Sequence, residues 1–155
     1  MKDNLSFSKL ISEAEINSRN RSHLNLHESF SDPIQKTLIC CCSNTYIPPH
    51  YHKFAHQSEL FIRLKGCFSL LIFSVDGVLT RRITIDEENP LYEIKPGVIH
   101  TVVALDSHNI LLEIKRGPYV ESEAKNFPDW VTLENSDNQL DLERLRTLKV
   151  GDKLS

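Results

Sequence analysis

The chain has 155 residues, 40% hydrophobic and 25% charged, enough for one compact domain with a core of its own. A formal net charge of −3 supplies no overall basic field to attract nucleic acid or an anionic membrane surface, so neither is expected as a partner. The stretch "MKDNLSFSKLISEAEI" has no signal-like apolar run and no segment approaches the length of a membrane span, which points to a cytoplasmic protein.

Leu5 and Leu10 flank Ser6 as a hydrophobic staple around an N-cap, and Leu10, Ile11 and Ala14 keep helical spacing, which predicts a short helix ending near Asn17. The polar, turn-rich "NSRNRSHLNLHESFSDP" then reads as an arm or loop leading to a strand near "IQKTLICCC". Cys40, Cys41, Cys42 and Cys67 lack zinc-finger spacing and read as buried reduced thiols in strands. Next come the short β-branched and aromatic runs "ELFIRL", "CFSLLIFS", "LTRRITI", "LYEIK", "HTVVAL" and "NILLEIK", punctuated by turn residues. Asp76-Gly77 is a hairpin signal, because that turn needs positive φ. Many short antiparallel strands with tight turns predict a mainly β sandwich or closed barrel. After Trp130, "SDNQLDLERLRTL" fits either a helix from Ser136 or Asp137, with Leu142, Leu145 and Leu148 partly buried, or a frayed tail. The chain thus divides into an N-terminal helix and arm (1–34), a barrel (35–120) and a C-terminal extension (121–155).

The stretch "PPHYHKFAHQSEL", residues 48 to 60, gathers three histidines and a glutamate. A helix would place His52 and His56 on one face; a strand would place His50 and His52 on one. The segment has no apolar face for a helix to bury and runs into clear strand patterning, so the strand reading is preferred. Six residues separate His52 from Glu59, room for a loop that brings Glu59 back on the neighbouring antiparallel strand. His100, after a Pro-Gly turn in "KPGVIHT", is the natural fourth member. Three imidazoles and a carboxylate suit a divalent ion such as iron, manganese, nickel, copper or zinc, and leave positions for water or substrate.

"HYHKFAHQSELFIRLKG" and "KPGVIHT" resemble the first and second cupin motifs. The resemblance implies a cupin-type double-stranded β-helix barrel, a jelly-roll-like antiparallel sandwich with a metal held by His50, His52, Glu59 and His100. Together with "RNRSHLNLHESFSDPIQKTL", "PGVIHTVVAL" and "EIKRGPYV", the chain is similar to the WbuC-like cupin metalloproteins over roughly residues 19 to 130. That family is associated with bacterial O-antigen and surface-polysaccharide gene clusters. Asn44 and Asn89 stand where the cupin pattern has glycine; asparagine tolerates left-handed turn geometry better than other residues with a side chain. Ala104 replaces the usual asparagine after His100, and Lys95-Pro96-Gly97 the usual Pro-x-Gly, changes that touch loop shape rather than ligands.

Other residues stand close to this expectation. His27 and Asn25 lie in the arm, where they would face a substrate or make structural hydrogen bonds. Glu113 and Lys115 share one face of their strand, either outward and solvated or inward as an acid/base pair beside the metal. Arg63 has the parity of Glu59 and, pointing inward, would suit an anionic ligand group. Tyr119, after Gly117-Pro118, either caps the mouth or packs. His56 falls in the loop between ligands, while His23 and His108 read as facing water. The implied function is a metal-dependent isomerase or epimerase acting on a small polar molecule, a sugar or sugar nucleotide. The alternatives are an iron-dependent dioxygenase, a metal-free epimerase with a Tyr acid, and a noncatalytic binding or sensing cupin. A homodimer through strand edges is expected.

Overall fold

The computed structural model describes residues 6–135 and 137–154. Helix α1 (Phe7–Ile16) opens the chain, with Ser6 at its N-cap and Asn17 at its C-cap. The Ser6 side chain makes no capping bond, and Leu5 of the expected staple lies outside the described residues. Strands β1 (Arg21–Asn25), β2 (Ile34–Cys42), β3 (Glu59–Lys65), β4 (Phe68–Phe73), β5 (Leu79–Ile85), β6 (Leu91–Ile94), β7 (Ile99–Ala104) and β8 (His108–Arg116) follow. A short 3-10 turn (Glu121–Glu123) and helix α2 (Gln139–Thr147) complete the chain.

Two antiparallel sheets, ordered β1-β2-β8-β3-β6 and β5-β4-β7, face each other. Between them lies an apolar core that includes Phe61, Phe68, Leu70, Ile85, Val102 and Leu111. Each sheet also buries its outer face under a helix. Leu10 and Ala14 of α1 cover Leu38, Cys40, Cys42 and Ile110. Leu142 and Leu145 of α2 cover Leu71, Phe73, Leu79, Ile99 and Val103. Arg82 fastens α2 by donating to the carbonyls of Leu145 (2.9 Å) and Leu148 (2.6 Å), the unsatisfied end of the helix where a cation is favoured. Of the two readings of the stretch after Trp130 the helix is the one that forms, from Gln139 rather than Asp137 and with Leu142 and Leu145 fully buried; Ser136, the other expected start, lies outside the described residues.

Two readings of the sequence need correction. The arm contains strand β1, which pairs residue for residue with β2 from Arg21↔Cys41 to Asn25↔Thr37. Neither Asn44 nor Asn89 takes left-handed geometry; among the described residues the asparagine with positive φ is Asn20 (φ 55), just before β1. Two glycines match their expected use. Gly77 (φ 82) turns the β4-β5 hairpin. Gly66 (φ 73) ends β3, where an added Cβ would strike the fully buried Asn109 side chain. Among the described residues, no helix is long and apolar enough to cross a membrane.

Candidate metal centre

Pro48 and Pro49 keep the chain extended into the histidines, and His50 exchanges two 2.9 Å backbone hydrogen bonds with His100 at the start of β7. This bridge continues the three-stranded sheet past its β7 edge. Glu59 comes from the other sheet: β3 pairs with β6 and β8, not with the histidine segment. The expected cross-strand neighbour relation is thus wrong. The six residues between His52 and Glu59 cross from one sheet to the other, and the carboxylate meets the imidazoles across the barrel interior.

His50, His52, Glu59 and His100 are all buried, and their ligand atoms lie within 4.8 Å of one another. Each ring is turned by a backbone carbonyl at Nδ1: Pro48 for His50 (2.9 Å), Ala124 for His52 (2.5 Å) and Val98 for His100 (2.9 Å). An Nδ1–H that donates to a carbonyl leaves Nε2 with a lone pair and no proton. His52 Nε2 and His100 Nε2 each lie 2.9 Å from Glu59 Oε2, and none of these three buried atoms has a hydrogen-bond partner. Lone pairs facing lone pairs at this distance repel unless a cation sits between them. Adjacent ligands on an ion with bonds of about 2.1 Å stand about 3 Å apart, so the spacing and the donor set fit a divalent metal.

The surrounding charges support that use. Burial, followed by the charges of Lys125 and His100, pushes the His50 pKa well below its usual value, keeping the ring neutral as a ligand must be. Burial alone would raise the Glu59 carboxyl, but Lys115 and the neighbouring His100 and His52 outweigh it and hold the carboxyl well below its usual range. Lys115 divides itself between Glu59 Oε1 (2.6 Å) and Glu113 Oε1 (3.2 Å). Burial opposes its charge, yet Glu113 and Glu59 push its pKa up, so it stays an ammonium. Burial raises the pKa of Glu113 despite Lys115.

His50 and His100 open onto a cavity of about 640 Å³. Asn25, His27, Glu113, Lys115 and Tyr119 line it, so Glu113 and Lys115 point inward rather than into solvent. Arg63 does not line it. Four residues along β3 carry Arg63 about 13 Å from Glu59, and its Nε donates to the Gly66 carbonyl (2.6 Å) at the far turn. His56 stacks on Phe54 in the loop, and His108 pairs with Glu15 of α1 at 2.8 Å.

Several cavity residues are ones the reading of the sequence did not pick out, His23 among them, which it had facing water. Arg21, on the unrecognised β1, is buried and makes a bidentate pair with Glu134 (2.6 and 2.7 Å). His23 lines the cavity two residues on; an alternating Arg-x-His-x-Asn pattern was the signal available. Lys125 projects its charge into the cavity and has no ion-pair partner among the described residues. Water reaches His23 and Lys125 because the cavity is open, although protein surrounds both. The segment that carries Ala124 and Lys125 lines the cavity and is bonded to Tyr51 through Asn126 (2.9 Å in both directions).

A sequence model of the DUF6016 family, a domain of unknown function, matches residues 2–85, more than half of the chain. The chain belongs to the DUF6016 family. No curated protein sequence matches this DUF6016 chain. Among solved structures it is similar to a cupin superfamily protein from Desulfitobacterium hafniense, with a TM-score of 0.52 and 15% identity over 75% of this chain and 92% of the other. It is also similar to the DMSP lyase DddQ from Ruegeria pomeroyi (TM-score 0.54, 16% identity, 70% of this chain and 53% of that one). An oxalate oxidase in complex with glycolate gives a TM-score of 0.53 at 13% identity, over 72% of this chain and 58% of that one. The DUF6016 chain therefore has the cupin fold, with a cluster able to hold a metal ion.

Proposed function

We propose that this chain is a divalent-metal cupin that binds a small polar molecule, a sugar or sugar nucleotide, in its cavity and isomerises or epimerises it. The supporting observation is the convergence of unprotonated His52 Nε2 and His100 Nε2 on Glu59 Oε2, with His50 beside them, at the edge of a cavity that also carries Glu113 and Lys115 in its wall. When bound, the ion supplies Lewis-acid polarisation of a carbonyl or hydroxyl oxygen. The chain's own residues do the rest. The three backbone carbonyls hold the imidazoles in one tautomer, and Lys115 balances the charge of Glu59. Glu113, whose carboxyl is raised by burial, is the group suited to take a proton from the ligand and return it. The resemblance of the sequence to the WbuC-like pattern supports a role in bacterial surface-polysaccharide synthesis as part of this proposal, and a homodimer paired through a sheet edge is the proposed assembly.

Elemental analysis of the purified protein should find about one equivalent of a divalent metal, and His50→Ala should lose it. Sugar nucleotides offered to the iron, manganese, nickel and zinc forms separate the enzymatic reading from a binding module. Turnover by none of them would overturn the isomerase reading and favour the noncatalytic one.

A further inference from the structure

Inward-facing residues of the five-stranded sheet form rows across the strands. In one row Gln35 pairs with Lys115 and Lys115 with Glu59, while His27 extends the β1/β2 register beyond Asn25↔Thr37 to reach Gln35. The adjacent row runs Asn25, Thr37, Glu113 and Phe61. Strands lie about 4.8 Å apart, which puts Gln35 about 10 Å from Glu59 along the sheet and His27 about 14 Å. Within these two rows charge is concentrated at the β8/β3 end, and the β1/β2 end presents neutral groups; Arg19 and Arg21 line the cavity at or beyond the opposite end of β1.

Two of those neutral groups are buried and incompletely paired. His27, 8% exposed, has its Nδ1 at 3.1 Å from the Lys36 N–H and 3.0 Å from the Lys36 carbonyl. The carbonyl is already paired with the Leu26 N–H at 2.8 Å, whereas the Lys36 N–H has Nδ1 as its acceptor, so the tautomer that satisfies both carries the ring proton on Nε2. His27 Nε2 has no partner. Gln35, 6% exposed, has its amide nitrogen pinned by the carbonyls of Ser29 (3.1 Å), Phe30 (3.3 Å) and Asp32 (2.8 Å). Its Oε1 has no partner either. His27 and Gln35 both line the cavity, so one unpartnered donor and one unpartnered acceptor lie just beneath its wall, beside Thr37 and Asn25, whose hydroxyl and carboxamide oxygen are bonded to each other at 3.2 Å in the next row.

Aromatic rings border this end. Phe30 lies 5.7 Å from the His27 ring and 5.1 Å from Tyr119. The loop bearing Phe30 is fastened by Gly117 N–H to Pro33 O (2.9 Å) and Tyr119 N–H to Phe30 O (2.7 Å), and a side chain at Gly117 would strike the Asp32 carbonyl.

We propose that this neutral end is a second subsite that holds a carbohydrate ring while the ring's outer substituent reaches the metal centre. The proposal rests on the metal-ligand reading above and adds where the ring sits. Hydroxyls that both donate and accept match His27, Gln35, Thr37 and Asn25 together, and the C–H face of the ring suits Phe30 and Tyr119. An apolar ring would leave His27 Nε2 and Gln35 Oε1 unpaired. An anionic group would find its countercharges at Lys115, Lys125 and Arg19 rather than at these four side chains.

Saturation-transfer NMR and titration of the metal-loaded full chain with methyl α-D-glucopyranoside and N-acetyl-D-glucosamine test the subsite. At least one probe should bind. His27→Asn keeps an acceptor for the Lys36 N–H but removes the Nε2 donor, and Phe30→Ala alters an exposed ring with little demand on folding. Each should weaken binding about tenfold, a loss of one good hydrogen bond or contact, with metal content unchanged. Failure of both probes to bind, or wild-type affinity in folded His27→Asn and Phe30→Ala, would overturn the subsite and assign the two polar atoms to solvent. The same titration on protein that retains no metal separates the two readings: sugar binding there sustains the subsite while the metal-centred function falls.

Discussion

The two faces of the five-stranded sheet are made by alternate residues of the same strands, yet they differ in every respect that matters. Leu38, Cys40, Cys42 and Ile110 face α1 and are apolar. Their neighbours Gln35, Thr37, Glu113 and Lys115 face the barrel interior and are polar. In a bare sandwich the apolar parity would point inward. Here α1 takes that parity outside, which frees the inner face at this end of the barrel to carry charge. Alternation along a strand gives the phase of burial; the covering helix gives its direction.

The sharpest break in this comparison is Glu59→Ala on the inner face. Chelator competition should show metal affinity falling by more than about 100-fold, since even outer-shell partners of metal ligands are worth 10–100-fold. Leu38→Ala, on the outer face, should leave metal content intact. It should cost about 3 kcal/mol of stability, read by calorimetry as a drop in Tm on the order of 9 °C. Thr37→Val, the adjacent residue on the inner parity, should shift stability by less than about 1 kcal/mol, because the half-buried Thr37 is not a core packing residue.

The smallest effect is one of pH. Burial, then Arg21, Arg19 and Lys125, lowers the His23 pKa from 6.5 to about 4, so the unfolded chain takes this proton more readily than the folded one. Its stability contribution is complete above pH 6.5 and is lost as pH falls toward about 4. Denaturant titrations of the wild type and His23→Gln should diverge in that window, with the variant showing the flatter profile.

The strands from β2 onward were legible because β-branched and aromatic residues alternate between true turn signals such as Asp76-Gly77. β1 was not. Its inward side chains are Arg21, His23 and Asn25, so its half of the pattern looks like a loop until the cavity it lines is known. The four clustered residues were legible from spacing and motif, but their connectivity was misread. Nothing in the six residues between His52 and Glu59 distinguishes a hairpin from a crossing between sheets. Arg63 shows the limit of parity: it has the right face at the wrong end of the strand. Lys125 and Glu134 reach the cavity from the C-terminal extension, and such long-range contacts leave no local trace in the sequence.

The hydrogen bond from His52 to Ala124 ties one ring of the cluster to the segment that also brings Lys125 to the cavity. The tautomer of that ring therefore depends on a carbonyl 72 residues away in the C-terminal extension. A substitution that displaces Ala124 would change which nitrogen of His52 carries the proton without touching any of the four clustered side chains.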